Sequence, residues 1–149
     1  MAVTRDAGVS AGGSGLAGPH ELLGYQYVVL RCVPRVDREE FLNVGVVLYC
    51  QSADYLCAAT RLDRTRLQLA FPALDLDSVA EGLAAIEQFC KGKSPAVAGD
   101  RESLGQRFGW LAAPRSTVIQ PGPIHGGLTS DPPVQLARLA DSLTGGGQG

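Results

Sequence analysis

The chain has 149 residues, a formal net charge of −2 and 19 glycines. This length fits one ordinary domain with a single core. The 13 basic and 15 acidic residues are close to balance, which gives no electrostatic reason to expect nucleic acid or an anionic membrane surface as a partner. No apolar run approaches the roughly 18 residues of a membrane-spanning helix, and the N-terminal residues lack the apolar stretch of a signal peptide. We therefore expect a cytoplasmic protein without a membrane anchor.

Glycine is concentrated at the two ends of the chain. Ten of the 19 glycines fall in residues 1–24 and 145–149. Segments of this composition have too little apolar surface to offset the entropy of ordering the backbone. We therefore predict flexible tails over 1–24 and 145–149 and a single folded domain over 25–144.

Apolar runs predict β-strands in the first half of the domain. Tyr25–Val33 and Phe41–Gln51 are rich in β-branched and aromatic residues, and Tyr55–Leu62 is a weaker third run. The loops between these runs are too short for a parallel crossover, so the three strands should form an antiparallel meander. A further short strand is predicted at Thr117–Gln120.

Four helices are predicted from apolar residues that recur at spacings of three and four. Capping residues mark their ends. The predicted helices begin at Asp63, at Asp75 or Asp77, before Leu104, and among Thr129, Ser130 and Asp131; the second and fourth end at Gly92 and Gly145. The elements together predict an α+β domain, in which a three- to four-stranded antiparallel meander sheet packs with about four helices on one face.

Two polar residues lie inside the apolar hairpin of the first two strands. Arg31 is in the first strand, where a charge is costly unless it is paired. The hairpin register places Asn43 of the second strand beside it. Such a pair is either a satisfied structural network or part of a site. Gly45, next to this pair, allows a bulge or the close approach of another group.

Arginine dominates the basic residues, with 11 Arg against two Lys. Arginine suits fixed bidentate pairing with anions. Arg107 and Arg115 flank the segment that contains the single tryptophan, Trp110. They either stack on the tryptophan and cap the end of its helix, or capture an oxyanion or phosphate.

His125 lies in a Pro-Ile-His-Gly-Gly segment that we predict to be a loop. A loop histidine can act as a base or a ligand. However, no partnered nucleophile and no hydrolase or metalloprotease motif accompanies it, and Gly126 and Gly127 lack the residues that follow a phosphate-binding loop.

The four cysteines lack the spacing of a zinc site, so no metal and no cofactor are predicted. A hairpin centred between Ala53 and Asp54 would place Cys50 and Cys57 opposite each other, at a distance that a disulfide could span. In a reducing cytosol, two small apolar core residues are the favoured alternative.

Two separated blocks of the sequence carry a family resemblance. They are YQYVVLRCVPRVDREEFLNVGVVLYC and, far downstream, R-F-x-W-L-x-x-P-R-S-T-x-I-Q followed by H-G-G-L-T-x-D-P. In these blocks the chain resembles the bacterial family called domain of unknown function 3037, over about Tyr25 to Leu143. The motif residues that the resemblance places here are Arg31, Pro34, Glu40, Phe41, Asn43, Val44, Gly45, Arg107, Trp110, Pro114, Arg115, Ser116, His125 and Gly126. The resemblance implies no assigned activity, but it does imply a partner, because such proteins are often encoded beside HipA-like kinases.

Two functional hypotheses follow. The first is a non-catalytic protein that binds or regulates another protein, with a HipA-like kinase as the implied partner. The second is a small enzyme or an anion- or phosphate-binding module. Its site would need a set of polar side chains to converge in one pocket. Those candidate residues are Arg31, Asn43, Arg107, Arg115 and His125, with Ser116 beside them.

Overall fold

Five strands and four α-helices make up the described part of the chain, which is residues 21–92, 103–115 and 117–145 of a computed structural model. The strands are β1 (Leu23–Cys32), β2 (Leu42–Cys50), β3 (Tyr55–Thr60), β4 (Ile119–Pro121) and β5 (His125–Thr129). The helices are α1 (Arg64–Ala70), α2 (Leu76–Cys90), α3 (Leu104–Leu111) and α4 (Pro132–Thr144). The predicted α+β class is confirmed. The predicted tails fall outside the described residues, apart from residues 21–24 and Gly145.

The strands form one open antiparallel sheet with β1 near its centre. Its order is β3-β2-β1-β4, and β5 also pairs with β1. β4 pairs with the C-terminal end of β1 and β5 with its N-terminal half, so the two short strands share one edge of β1. The predicted meander of the first three strands is confirmed, while β1 begins at Leu23, two residues before the predicted domain boundary.

Helices cover both faces of this sheet. One core joins Val28 and Leu30 of β1 to α2 and α3, and a second core joins Leu48 of β2 to Leu136 and Ala140 of α4. The prediction that all helices lie on one face is therefore wrong for α4. The reason is visible in β2, where five consecutive residues (44–48) are buried, because a strand buried on both sides needs a layer on each.

Side chains and glycines at the predicted caps fix where the helices begin and end. Asp63, Asp75 and Asp131 accept hydrogen bonds from the backbone N–H groups three residues ahead, at 3.0, 3.2 and 3.2 Å. Gly92 and Gly145 follow α2 and α4 with φ of 76° and 74°, the left-handed conformation that glycine adopts without strain. These cap predictions are confirmed.

A bulge interrupts the β1–β2 ladder beside the predicted polar pair. Leu30 is opposite Gly45 and Arg31 is opposite Asn43, so Val44 is an extra residue. A Cβ atom on Gly45 would lie 3.0 Å from the carbonyl oxygen of Ala59 on β3. The predicted neighbours and both predicted roles of Gly45 are confirmed.

The β2–β3 register separates the two cysteines that were predicted to face each other. Cys50 is opposite Tyr55, and Cys57 is opposite Leu48. The four residues of the turn, 51–54, shift the pairing by two positions, with Asp54 in the left-handed region at φ 52°. All four cysteines are free, so the alternative without a disulfide is the correct one.

β5 lies where the sequence predicts a loop, and that prediction is wrong. Two adjacent glycines disfavour a strand on propensity alone. Here the ring of Tyr25 lies across its cross-strand partner Gly127, so closely that a Cβ there would be 2.6 Å from the tyrosine oxygen. Gln135 of α4 then donates to the Tyr25 Oη at 3.0 Å. The aromatic cover of the glycine compensates for its missing side chain.

Candidate functional site

Arg107 closes the C-terminal end of α2. Its Nη1 donates to the carbonyl oxygen of Phe89 at 3.1 Å. The guanidinium group also stacks on the Phe89 ring, 5.1 Å from the ring centroid. The last carbonyls of a helix have no partner inside the helix, and the helix dipole favours a cation there. Because Arg107 is buried, this contact fixes both α2 and α3. The predicted interpretation, in which Arg107 stacks on Trp110 and caps the helix that contains it, is wrong, because Arg107 caps α2 and stacks on Phe89.

Asn43 does the same for α4 on the other side of the sheet. Its Nδ2 donates to the carbonyl oxygen of Leu143 at 2.9 Å, while Arg66 donates to that of Thr144 at 2.9 Å. The Asn43 Oδ1 is buried without a hydrogen-bond partner. The polar pair predicted in the hairpin is thus divided, since Asn43 bonds to a helix end rather than to Arg31.

Arg115 caps α3 and stacks on the tryptophan. This is the structural one of its two predicted roles, the other being the capture of an oxyanion or phosphate. Its Nη2 donates to the carbonyl oxygen of Trp110 at 3.2 Å, and its guanidinium lies 4.8 Å from the Trp110 ring centroid. The Gln120 side chain accepts from the Arg115 backbone N–H at 3.1 Å and donates back to its carbonyl. Burial lowers the pKa of Arg115, so this cation is incompletely solvated.

The three helix-capping residues follow one pattern. Asn43, Arg107 and Arg115 each donate to the carbonyl of the second-to-last residue of a different helix. A helix end that is satisfied by a side chain from elsewhere in the fold is held in a fixed position. The pattern therefore explains these polar residues as supports for α4, α2 and α3.

An apolar groove of about 440 Å³ opens between α2 and the end of α3. We call it the Trp110 groove. It is lined by Ser78, Gly82, Ala85, Ile86, Phe89, Trp110, Leu111, Arg115, Thr117, Val118 and Ile119. The Trp110 ring packs 5.1 Å from Phe89, yet half of the tryptophan (50%) remains exposed. Arg115 is the one charged side chain among these described lining residues.

Arg31 differs from Asn43, Arg107 and Arg115 because its described contacts include no helix end. Its guanidinium stacks 4.3 Å from the centroid of the Phe41 ring and packs against Gly122, where a Cβ would come within 3.1 Å of it. The Nε is buried with no hydrogen-bond partner. Among the described residues, no carboxylate pairs with Arg31.

His125 is exposed on β5, at the edge of the sheet. It is the cross-strand partner of Tyr27, and the two ring centroids are 5.2 Å apart. Tyr27 and Arg31 lie four residues apart on β1, so their side chains share one face of the sheet. His125 is thus on the same face as Arg31, but it is opposite a β1 residue four positions away from Arg31.

The structure brings together only part of the predicted site. Arg31 and Asn43 are cross-strand neighbours on the α4 face, whereas Arg107 and Arg115 belong to the α2–α3 face. Five polar side chains therefore do not converge in one pocket. Ser116 lies outside the described residues.

Within the described ranges, no group of three His, Cys, Asp or Glu residues is arranged to hold a metal ion. Burial raises the pKa of the Cys32 thiol to about 11 and that of Cys90 to about 12. Both thiols are therefore neutral at ordinary pH, as suits small core residues.

Two residues that shape the Trp110 groove were not predicted. Phe89 lines the groove and stacks against Arg107. Gln120 accepts a hydrogen bond from the backbone N–H of Arg115. A helical-spacing analysis could have identified Phe89, because it lies three residues after Ile86 on the buried side of α2. The sequence carries no comparable signal for Gln120, whose partner is backbone.

The fold defines a small α+β protein with an open five-stranded sheet between two helical layers. The chain belongs to the family described as Protein of unknown function (DUF3037), which matches residues 27–144. No curated protein and no solved structure matches the chain. No helix in the part of the chain that the structure describes is long and apolar enough to cross a membrane.

Proposed function

We propose that this chain is a small cytoplasmic, non-catalytic protein that binds another protein through the Trp110 groove. The observation that carries the proposal is the groove itself, in which a half-exposed tryptophan and a partly buried arginine border an apolar lining. Tryptophan and arginine are the residue types that most often dominate the energy of protein interfaces. A large aromatic side chain left exposed over a groove supports a binding role.

The chemistry of the groove defines the segment that it would hold. Arg115 donates to a carbonyl, but no carboxylate pairs with it among the described residues. A cation that is already partly desolvated forms a strong charge-assisted hydrogen bond with a carboxylate. We therefore propose that the partner inserts an apolar segment that carries one acidic side chain.

A second cavity of about 520 Å³ lies between the β1–β2 loop and the end of α1. Unlike the Trp110 groove, it offers no arginine that is without a paired carboxylate among its described lining residues. Its two arginines already pair with neighbouring acids, Arg35 with Asp37 at 2.8 Å and Arg38 with Glu40 at 3.1 Å. Their charge is therefore largely neutralised within the chain. The Trp110 groove is the better candidate for an acidic partner segment.

The walls of the Trp110 groove are held before any partner arrives. Arg107 joins the end of α2 to α3, and Gln120 fixes the backbone that carries Arg115. A preorganised site loses less conformational entropy on binding, which raises affinity. Arg107 and Gln120 thus support binding through the groove without touching the partner.

A HipA-like kinase is the proposed partner. The support for this identity is the family resemblance, in which such proteins are often encoded beside HipA-like kinases. The proposal concerns a regulatory or structural complex with the kinase.

Isothermal titration calorimetry of the purified chain against a purified HipA-like kinase tests the proposal. Ala85 is exposed in the lining of the groove, so Ala85→Glu adds a larger, negatively charged side chain to the apolar lining, where it would repel an acidic partner segment. We expect Ala85→Glu and Arg115→Gln to weaken binding by roughly tenfold or more, equivalent to at least about 1.4 kcal/mol.

The matched controls are Ala137→Glu and Arg138→Gln, which change exposed residues of α4 on the other face of the sheet. Both should bind like the unmodified chain. Absence of binding by the unmodified chain would reject the kinase as partner. Equal loss in all four variants would reject the groove as the docking site.

Arg31 favours a second candidate function, an anion-binding module. Its guanidinium has no acceptor among the described residues and is oriented by Phe41 and Gly122. Titration with inorganic phosphate, followed by NMR, tests this candidate. Shifts centred on Arg31 that disappear in Arg31→Gln would support it, and shifts that persist in that variant would reject it.

A further inference from the structure

Beside the N-terminal half of β1 and the adjoining β5, no described residue covers one face of the sheet. Leu22, Ile124 and Leu128 are 51%, 52% and 58% exposed. Leu128 lies on the side of the sheet that α2 and α3 cover further along, because its partner Gly24 has an even number and even-numbered β1 residues such as Val28 face that layer. Leu22 and Ile124 directly precede β1 and β5, and the same alternation continued by one residue places them on this side. Gly24, the cross-strand partner of Leu128, has no atom within 4 Å of where a Cβ would be. The uncovered face is therefore flat and partly apolar.

β5 also presents an open backbone edge among the described strands. Gly122 donates its N–H to the carbonyl of Val29, so the odd-numbered residues of β1 face the β4–β5 edge. Their partners on β5, such as Gly127, then face β1. Successive residues of an antiparallel strand alternate in direction, so Gly126 and Leu128 point their N–H and C=O groups outward.

The other edge strands of the sheet carry features that prevent pairing with a further strand, whereas β5 does not. Along the same edge, Pro121 and Pro123 offer no N–H to a new strand. At the opposite edge, every residue of β3 is half-buried between α2 and α4. β5 has neither a proline nor an acidic or lysine side chain, the usual devices against edge pairing.

The exposed residues of β5 are complementary to a second copy of the same strand. If two β5 strands pair antiparallel about a two-fold axis at Gly126, the outward-facing groups of Gly126 meet their own copies. In that register Ile124 of each copy is opposite Leu128 of the other, so the pair occurs twice. Both apolar side chains are then on the uncovered face, where they shield each other from water.

We propose that β5 is a self-association edge, through which two copies of this chain join their sheets into one continuous sheet. The arrangement is isologous, because the same segment, residues 124–128, serves both copies. Backbone hydrogen bonds supply the pairing, and the Ile124–Leu128 contacts set its register. An interface of this small size predicts a reversible dimer, with a dissociation constant in the micromolar range or weaker.

Sedimentation velocity over a range of protein concentrations tests the proposal. The unmodified chain should shift from monomer to dimer as its concentration rises. Gly126→Pro removes one outward N–H, and Leu128→Lys places a charge in the apolar contact. Each should raise the dimer dissociation constant at least about tenfold, which corresponds to about 1.4 kcal/mol.

Leu69→Lys is the matched control, because Leu69 is a 79% exposed leucine on α1, outside the proposed interface. It should dimerise like the unmodified chain. Circular dichroism and the thermal midpoint show that each variant is folded, and Leu128→Lys keeps the test valid if proline perturbs β5.

A cysteine variant tests the register directly. Paired Cα atoms at the two-fold axis lie about 5.5 Å apart, a distance that a disulfide spans. Gly126→Cys should therefore form a covalent dimer under mild oxidation. A chain that is monomeric at every concentration, or a dimer that both β5 variants leave unchanged, would overturn the proposal.

Discussion

Arg107 of α3 contacts the end of α2, and Arg31 lies near the end of β1, but the two arginines behave differently. Arg107 is buried, donates to the carbonyl of Phe89 and stacks on its ring. Arg31 is half-buried, stacks on Phe41 and has a buried Nε without an acceptor. The first completes a helix end, whereas the second adds no hydrogen bond to the described fold.

This difference separates residues that build the molecule from residues that are available to a ligand. Asn43 belongs with Arg107, because both satisfy helix carbonyls. Arg115 stands between the two groups, since it caps α3 and still borders an open groove. In this fold, a polar residue is therefore a candidate for ligand binding when its side chain is not already used to satisfy a helix carbonyl.

Arg107→Ala should have the largest effect on stability. It removes the guanidinium hydrogen bond to the Phe89 carbonyl, which still accepts from the Gly92 N–H at 3.0 Å, and it creates a cavity beside the ring. The expected cost is about 3 kcal/mol in the free energy of unfolding, most of it from the cavity. Urea denaturation measures this cost, with Arg138→Ala on the surface of α4 as the control. A loss below about 1 kcal/mol would show that the cap does not stabilise the fold.

Gly127→Ala should be the next most damaging change. The new Cβ would lie 2.6 Å from the Tyr25 oxygen, so the ring must move away from β5 and from Gln135. We expect a loss of about 2 kcal/mol in the free energy of unfolding, typical of overpacking. Gly24→Ala is the matched control, because no atom lies within 4 Å of its new Cβ. Equal effects of the two substitutions would contradict the described packing of Tyr25.

Asn43→Ala tests whether the cap of α4 resembles that of α2. It removes one hydrogen bond to the Leu143 carbonyl, while Arg66 still donates to Thr144. The expected loss is about 1 kcal/mol, the usual net worth of one such bond. Hydrogen exchange of the last turn of α4 should increase in this variant and stay unchanged in Arg31→Ala. An increase in Arg31→Ala and none in Asn43→Ala would contradict the role of Asn43 as the cap of α4.

Arg31→Ala should have the smallest effect. It loses a cation–π contact with Phe41, worth about 0.5 kcal/mol at a partly exposed site, and also removes a buried N–H that has no partner. The free energy of unfolding should change by no more than about 0.5 kcal/mol. A loss as large as that of Arg107→Ala would show that Arg31 is a structural residue and would end the contrast between the two arginines.

Local patterns in the sequence predict most of this fold. Strand composition, helical spacing and the caps Asp63, Gly92 and Gly145 identify the meander and the four helices. The position of α4 was missed because an apolar stripe does not specify which face of a sheet it covers. β5 was missed because the compensation for Gly127 comes from Tyr25, about a hundred residues earlier in the chain.

The candidate site was less predictable than the fold. The register that pairs Arg31 with Asn43 follows from a short hairpin, and it was predicted correctly. Whether a polar residue then bonds to a distant helix carbonyl depends on how helices and sheet pack, which no local pattern encodes. For this reason Arg107 and His125 appeared as partners in one pocket, although Arg107 caps α2 on one face of the sheet and His125 stacks with Tyr27 on the other.

The central claim is that a partner protein docks in the Trp110 groove, and Trp110 is the only tryptophan in the chain. Incorporation of 5-fluorotryptophan into this chain alone therefore gives a single fluorine NMR signal from the groove. Titration with the unlabelled HipA-like kinase should shift or broaden that signal in the unmodified chain, and much less in Ala85→Glu. A kinase complex that forms while the Trp110 signal stays unchanged would contradict the claim.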